Sequence, residues 1–125
     1  MPIQKVLMID DEPDIRQVGQ MSLKAVGKWQ VVLAKSGPEG VEAAAREAPD
    51  VILLDVMMPG MDGPTAFEKL RAQESTAKIP VIFMTAKVQT HEVQRYLDLG
   101  AAGVISKPFD PMSLPREVRR IVEGA

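Results

Sequence analysis

Four short apolar runs in this chain each stop at a residue able to do chemistry. Val6 to Ile9 runs into Asp10-Asp11, and Val51 to Leu54 runs into Asp55. Ile79 to Met84 runs into Thr85-Ala86, and Gly103 to Ser106 runs into Lys107-Pro108. Carboxylates hold hard cations such as Mg²⁺ or Ca²⁺ and can act as phosphoryl acceptors. A hydroxyl and an ammonium can take the remaining oxygens of a transferred phosphoryl group. Two carboxylates about 5 Å apart repel by roughly 3 kcal/mol at an effective dielectric near 20, so a group of three needs a cation or protons. One lysine does not offset three negative charges. A divalent ion with Lys107 does, and the surplus positive charge then favours an anion, with a phosphoryl group the natural candidate.

The elements that must bring these residues together follow from the pattern. Apolar runs bounded by turn signals read as strands buried on both faces. Between them lie helical stretches. Pro13 opens the first, which carries Ile15, Val18, Ser22 and Ala25 and ends at Gly27. A second strand runs from Trp29 to Ala34. Ser36-Gly37-Pro38-Glu39 has the form of a capping box before a small-residue stripe of Val41, Ala44, Ala45 and Ala48. Pro59-Gly60 is turn chemistry, and Asp62 caps a third helix that buries Ala66, Phe67 and Leu70 and exposes Glu68, Lys69 and Arg71. Ser75 to Lys78 reads as a loop. Thr90 is expected to cap the fourth helix, with Val93 and Leu97 on it and Gly100 closing it. The last helix starts near Leu114, because Pro115 cannot sit in its interior, and it buries Val118, Ile121 and Val122.

Five strands alternating with five helices predict a doubly wound α/β fold, a parallel sheet with helices on both faces. The order 2-1-3-4-5, flavodoxin-like, fits five strands and places the ligand crevice between strands 1 and 3. Asp10, Asp11 and Asp55 then meet there. Thr85 ends the neighbouring strand, and Lys107 lies within reach.

The whole chain agrees with this reading. It has 125 residues, 46% hydrophobic and 26% charged, which fits one globular domain over 1–125. It has no cysteine, which excludes disulfides, thiolate metal sites and cysteine nucleophiles and fits a reducing cytoplasm. Its net charge of -2 argues against direct nucleic-acid binding. No apolar run is long enough to span a membrane.

With these residues assembled, the chain resembles the receiver domain of two-component response regulators, the fold of the chemotaxis receiver. The marks are Asp10-Asp11, Asp55 followed by Met58-Pro59-Gly60-Met61-Asp62-Gly63, Thr85-Ala86 and Lys107-Pro108-Phe109. The resemblance implies that Asp55 is the phosphoacceptor in a phosphorelay. It implies Mg²⁺ bound directly by Asp11, Asp55 and the backbone carbonyl of Met57, with Asp10 acting largely through water. Thr85 and Ala86 would meet the phosphoryl group as part of the switch. Lys107 would pair with Asp55 before transfer and with a phosphoryl oxygen after it, and the Lys107-Pro108 bond would be cis. The donor would be a sensor histidine kinase, a phosphotransfer protein or a small acyl phosphate. The chain would be no enzyme beyond catalysing its own phosphorylation and dephosphorylation.

A downstream protein partner would dock on the face of helix 4, strand 5 and helix 5, formed by Gln94, Tyr96, Ser106, Arg116, Arg119 and Arg120. His91, the chain's one histidine, is expected to be exposed and without a role, and Met57, Met58 and Met61 to cover the apolar underside of their loop. No output module is visible, so the chain is either a stand-alone receiver or a piece of a longer protein. One departure stands out. The family's switch aromatic, three positions before the lysine, is here Val104. Output is therefore expected through the Ala86–Val93 segment, Phe109 or Tyr96. Met57 and Lys87, two positions beyond Asp55 and Thr85, would flank the path of the hydrolytic water, and a bulky Met57 should slow phosphate loss.

Three rival functions compete with this reading. A haloacid-dehalogenase-type phosphatase needs a second aspartate where Met57 stands. A flavodoxin needs a glycine- or hydroxyl-rich loop where Asp10-Asp11-Glu12 would repel phosphate. A degenerate receiver acting only as a protein-interaction module is kept open by Val104.

Overall fold

The computed structural model describes residues 2–124; Met1 and Ala125, the ends of the expected span, lie outside it. The elements are β1 (Lys5–Ile9), α1 (Pro13–Met21), β2 (Gln30–Ala34), α2 (Gly37–Glu47), β3 (Val51–Asp55), α3 (Gly63–Ala72), β4 (Val81–Thr85), α4 (Thr90–Leu99), β5 (Gly103–Ser106) and α5 (Leu114–Glu123). The sheet is parallel in the order β2-β1-β3-β4-β5. The doubly wound arrangement read from the sequence is therefore the one found.

The strands are continuous apolar runs because both faces of the sheet are covered. Successive side chains alternate between two cores. Leu7, Ile9, Ile52, Leu54 and Phe83 point to a core shared with α2, α3 and Tyr96 of α4. Val6, Met8, Val51, Leu53 and Met84 point to the other, closed by Leu23, Trp29, Leu114 and Val118. The residues of β3 are all buried, and each aliphatic side chain removed from water contributes about 1.5–3 kcal/mol.

Several helix faces differ from the expectation. Past Met21 the first helix widens into a π-helical turn, Ser22–Val26. The added residue rotates the buried face, so Gly19, Ser22 and Leu23 point inward, while Val18 is 39% exposed and Ala25 lies in water. Gly27 ends this helical stretch as its C-cap, as expected, and Lys28 after it takes a positive φ. Trp29 precedes β2, and Ile79-Pro80 precede β4. In α2 the buried stripe is Gly37, Gly40, Val41, Ala43 and Ala44. Ala45 is exposed, and Ala48 is the left-handed C-cap. Of the capping box, Ser36 makes its half by accepting from the Glu39 amide.

Arg71 is half-buried, not exposed. Its guanidinium lies over the Phe67 ring and donates to the carbonyls of Ala77 and Ile79. Thr76, in the segment read as a loop, is fully buried and donates its hydroxyl to the Leu70 carbonyl at 2.6 Å. Gln89, not Thr90, is the N-cap of α4, and no side chain caps it. Leu97 is 39% exposed, and the residue that α4 sinks into the core is Tyr96. Gly100 closes that helix with φ 110°, and α5 begins at Leu114, both as expected.

Candidate functional site: an acidic crevice bridged by one lysine

Parallel pairing of β1 with β3 puts Ile9 beside Leu54, so the next residues, Asp10 and Asp55, stand at the same height. Asp10 is fully buried and Asp55 is 4% exposed, while Asp11 is half-buried. One carboxylate oxygen from each of Asp10, Asp11, Glu12 and Asp55 lies within 4.8 Å of the others. The three predicted aspartates do converge. Glu12 is a fourth member, named from the sequence only within the acidic run that would repel a flavin's phosphate and not among the candidate site residues. Its place in the unbroken Asp10-Asp11-Glu12 run was the available signal.

Local hydrogen bonds fix the crevice. The Asp10 amide donates to the Ala34 carbonyl, and the Asp10 carboxylate accepts from the Glu12 amide at 2.9 Å. Arg16 holds the Asp10 carbonyl at 2.8 Å. Beyond Asp55 the chain turns at Pro59-Gly60, where Gly60 has φ 81°, the conformation expected of that pair. Asp62 caps α3 by accepting from the Thr65 amide at 2.9 Å. A Cβ on Gly63 would stand 2.5 Å from the Asp55 carbonyl oxygen, so glycine here lets the first turn of α3 press against the end of β3.

Lys107 reaches in from the end of β5. The Lys107 amide donates to the Thr85 carbonyl, and the Lys107-Pro108 bond is cis as expected. Nζ lies 2.9 Å from Asp10 Oδ2, 3.2 Å from Asp55 Oδ1 and 3.6 Å from Glu12 Oε1. Pairing was expected with Asp55; the shorter contact to Asp10 was not. Burial alone would push this ammonium down, but its hydrogen bonds with Asp10 and Asp55 and their charges outweigh that and hold it above the ordinary lysine value. Asp55 is pushed from 3.8 to about 6, first by burial and then by the charge of Asp10, with Lys107 opposing both.

Thr85 is buried, and its hydroxyl accepts from the Lys87 amide at 3.1 Å. Ala86 is exposed beside it. Met57 is 69% exposed at the mouth of the crevice; of the three loop methionines Met58 is buried and Met61 is half-buried beside Gly37. Val104 is half-buried next to Phe83, whose ring touches Tyr96 with centroids 4.9 Å apart. Phe109 packs half-buried on the opposite core. On the expected docking face, Gln94, Ser106, Arg116 and Arg120 are exposed. Tyr96 is 3% exposed, and Arg119 lies over Trp29 and donates to the Gly27 carbonyl, so neither fits that list. His91 is exposed at the start of α4, 3.5 Å from the Glu92 carboxylate. No helix among the described residues is long and apolar enough to cross a membrane.

The comparisons point the same way. Residues 6–119 match the family model described as the response regulator receiver domain. The DNA-binding dual master transcriptional regulator RpaA of Synechocystis is 36% identical over 118 residues, 94% of this chain and 48% of that protein. The chain thus spans about half the length of that relative. The solved chemotaxis response regulator CheY4 of Vibrio cholerae superposes with TM-score 0.87 at 32% identity, covering 96% of this chain and 99% of that one. The receiver domain of the sensor histidine kinase PA1611 of Pseudomonas aeruginosa, solved with a magnesium ion in its active site cleft, gives TM-score 0.83 at 31% identity over 98% of this chain and 99% of that one. A lysine bridging buried carboxylates at the switch point of a 2-1-3-4-5 sheet, and a family match over nearly its whole length, lead to one conclusion: the chain belongs to the response regulator receiver domains, phosphoacceptor modules of two-component signalling.

Proposed function

We propose that this receiver takes its phosphoryl group on Asp55 and requires Mg²⁺ held by Asp11, Asp55 and the backbone carbonyl of Met57, with Asp10 acting largely through water. The observation that carries the reading is the imbalance in the crevice: four carboxylates, two of them buried, face one ammonium. An all-oxygen donor set of this kind suits Mg²⁺. The ion, when bound, supplies neutralising charge at the phosphoryl oxygens.

The chain's own residues account for the rest. An Asp55 oxygen forms the new bond to phosphorus, and the leaving group departs with the electron pair of the bond that breaks. Lys107 moves its hydrogen bond from Asp55 to a phosphoryl oxygen. Thr85, whose oxygen already accepts from the Lys87 amide, turns its proton to another, beside Ala86. The donor is a sensor histidine kinase or a phosphotransfer protein, in the cytoplasm. The module catalyses its own phosphorylation and dephosphorylation and signals through the α4, β5 and α5 face to a protein partner. Its acidic balance supports no direct contact with nucleic acid. We read residues 1–125 as one receiver domain.

Incubation with Mg²⁺ and acetyl phosphate tests this by mass spectrometry. Wild type gains an acid-stable, base-labile phosphoryl adduct, and Asp55→Asn gains none. The absence of an adduct on wild type would favour the second reading, a receiver that only binds its partner, which Val104 in place of the switch aromatic supports.

A further inference from the structure

A groove of about 560 Å³ opens beside the crevice, between the loop after β3 and the exposed side of α4. Met57, Thr85 and Lys87 line it, and the same three residues line the mouth above Asp55. The two spaces are thus neighbours that share these three side chains. We propose that this groove seats the leaving-group half of a small acyl phosphate donor, and that it favours donors whose acyl group is flat and apolar. The inference rests on Asp55 as the acceptor.

The geometry of displacement supports it. Asp55 is buried at the bottom of the mouth, so an oxygen of Asp55 attacks phosphorus from below. In-line displacement then directs the leaving oxygen outward, toward Met57 and Lys87. An acyl group attached to that oxygen lies at the entrance of the groove. In the transfer, the bond from Asp55 to phosphorus forms and the bond from phosphorus to the acyl oxygen breaks. The electron pair leaves with a carboxylate, and since a carboxylate attacked, no proton is needed.

The lining sets the class of acyl group. Val56, Pro59 and Pro64 give the groove an apolar body, with only the edges of buried Met58 and Tyr96 reaching it. Its charges come in opposed signs, Lys87 and Arg95 against Asp62 and Glu92, so no net charge selects an ionic acyl group. Met57, unbranched and 69% exposed, can fold over a ring seated there.

Benzoyl phosphate and acetyl phosphate are the probes, with the Asp55 adduct followed by mass spectrometry in Mg²⁺. Arg95→Trp fills the groove from α4 and Arg95→Ala leaves it open. Burying a ring in the transition state raises the benzoyl to acetyl ratio of kcat/KM by about tenfold, and Arg95→Trp removes that gain while Arg95→Ala keeps it. Benzoate alone, without metal, shifts the Met57 methyl and Tyr96 ring resonances of wild type but not of Arg95→Trp. A ratio that is the same in wild type and Arg95→Trp, or equally reduced by both variants, overturns the groove assignment while acetyl phosphate still labels Asp55. No adduct from either donor overturns the reading of Asp55 itself, and the groove assignment with it.

Discussion

The two ends of β3 carry the same side chain in opposite circumstances. Asp50 precedes the strand, is exposed, and accepts from the Gln4 and Lys5 amides, both at 2.9 Å. Beside it Lys5 pairs with Glu47 at 3.3 Å. Each charge at that end has its own partner. Five residues on, Asp55 is buried against Asp10, shares one lysine with it, and is pushed up to about 6. At one end a carboxylate ties β1 to β3. At the other, the fold holds carboxylates together against their repulsion, and that unmet demand for positive charge makes the site.

The largest effect expected from this contrast is a pH dependence at the Asp55 end, opposite in sign to that of Glu47 at the other end, whose carboxyl the hydrogen bonds of Lys5 and Arg46 hold below its ordinary value. Between the unfolded value of 3.8 and about 6, the native protein keeps a proton that the unfolded chain has lost. Stability without metal therefore falls as pH rises through that window, by about 3 kcal/mol for a shift of roughly two units. Urea unfolding of the metal-free protein at pH 4 and pH 8 measures it. Asp55→Asn should remove most of the slope and be the more stable protein at pH 8, and Mg²⁺ should cancel the loss in wild type. An unchanged slope in Asp55→Asn would break the contrast.

The next effect is kinetic. Replacing bulky Met57 at the mouth with a side chain that can hold water should speed loss of phosphate from Asp55. Met57→Asn is expected to shorten the lifetime of the adduct about tenfold, equivalent to about 1.4 kcal/mol in the barrier. Decay of the adduct by mass spectrometry reads it, and equal lifetimes would show that Met57 does not shield the site. The smallest effect lies at the other end of the strand and has the opposite sign. Asp50→Ala should destabilise by about 1 kcal/mol through its two lost hydrogen bonds, and it should leave phosphorylation at Asp55 unaltered. Denaturant midpoints and adduct yield together check both halves.

Much of this was readable before any coordinates, and the reason is specific. Each strand is an apolar run that stops abruptly, so Asp10, Asp11, Asp55, Thr85 and Lys107 are marked by position as well as type, and the strand order brings them to one crevice. Helix faces were harder. In α2 alternate alanines are equally apolar, so pattern could not choose Ala43 over Ala45. In the first helix the π-helical turn shifts the face by a residue, and nothing in Ser22-Leu23-Lys24 announces it. Tyr96 falls on the expected docking face because Val93 and Leu97 read as the apolar side of α4, yet its ring completes a row with Phe83 and Phe67. Thr76 was hidden for the converse reason, since a hydroxyl in a polar segment gives no sign that it will bond the Leu70 carbonyl in the core. The Lys107 to Asp10 pair joins residues 97 positions apart, and only the packed sheet reveals which of two carboxylates lies nearer.

That lone ring on α4 has a mechanical consequence. Among α4's residues only Tyr96 is buried, whereas α3 is pinned by Gly63, Ala66, Phe67 and Leu70. A rod held by a single peg can pivot about it or be lifted for a fraction of the free energy needed to detach its neighbours. Local opening of α4 is therefore expected at lower free energy than that of α3, and faster amide exchange over Thr90–Leu99 than over Gly63–Ala72 would show it.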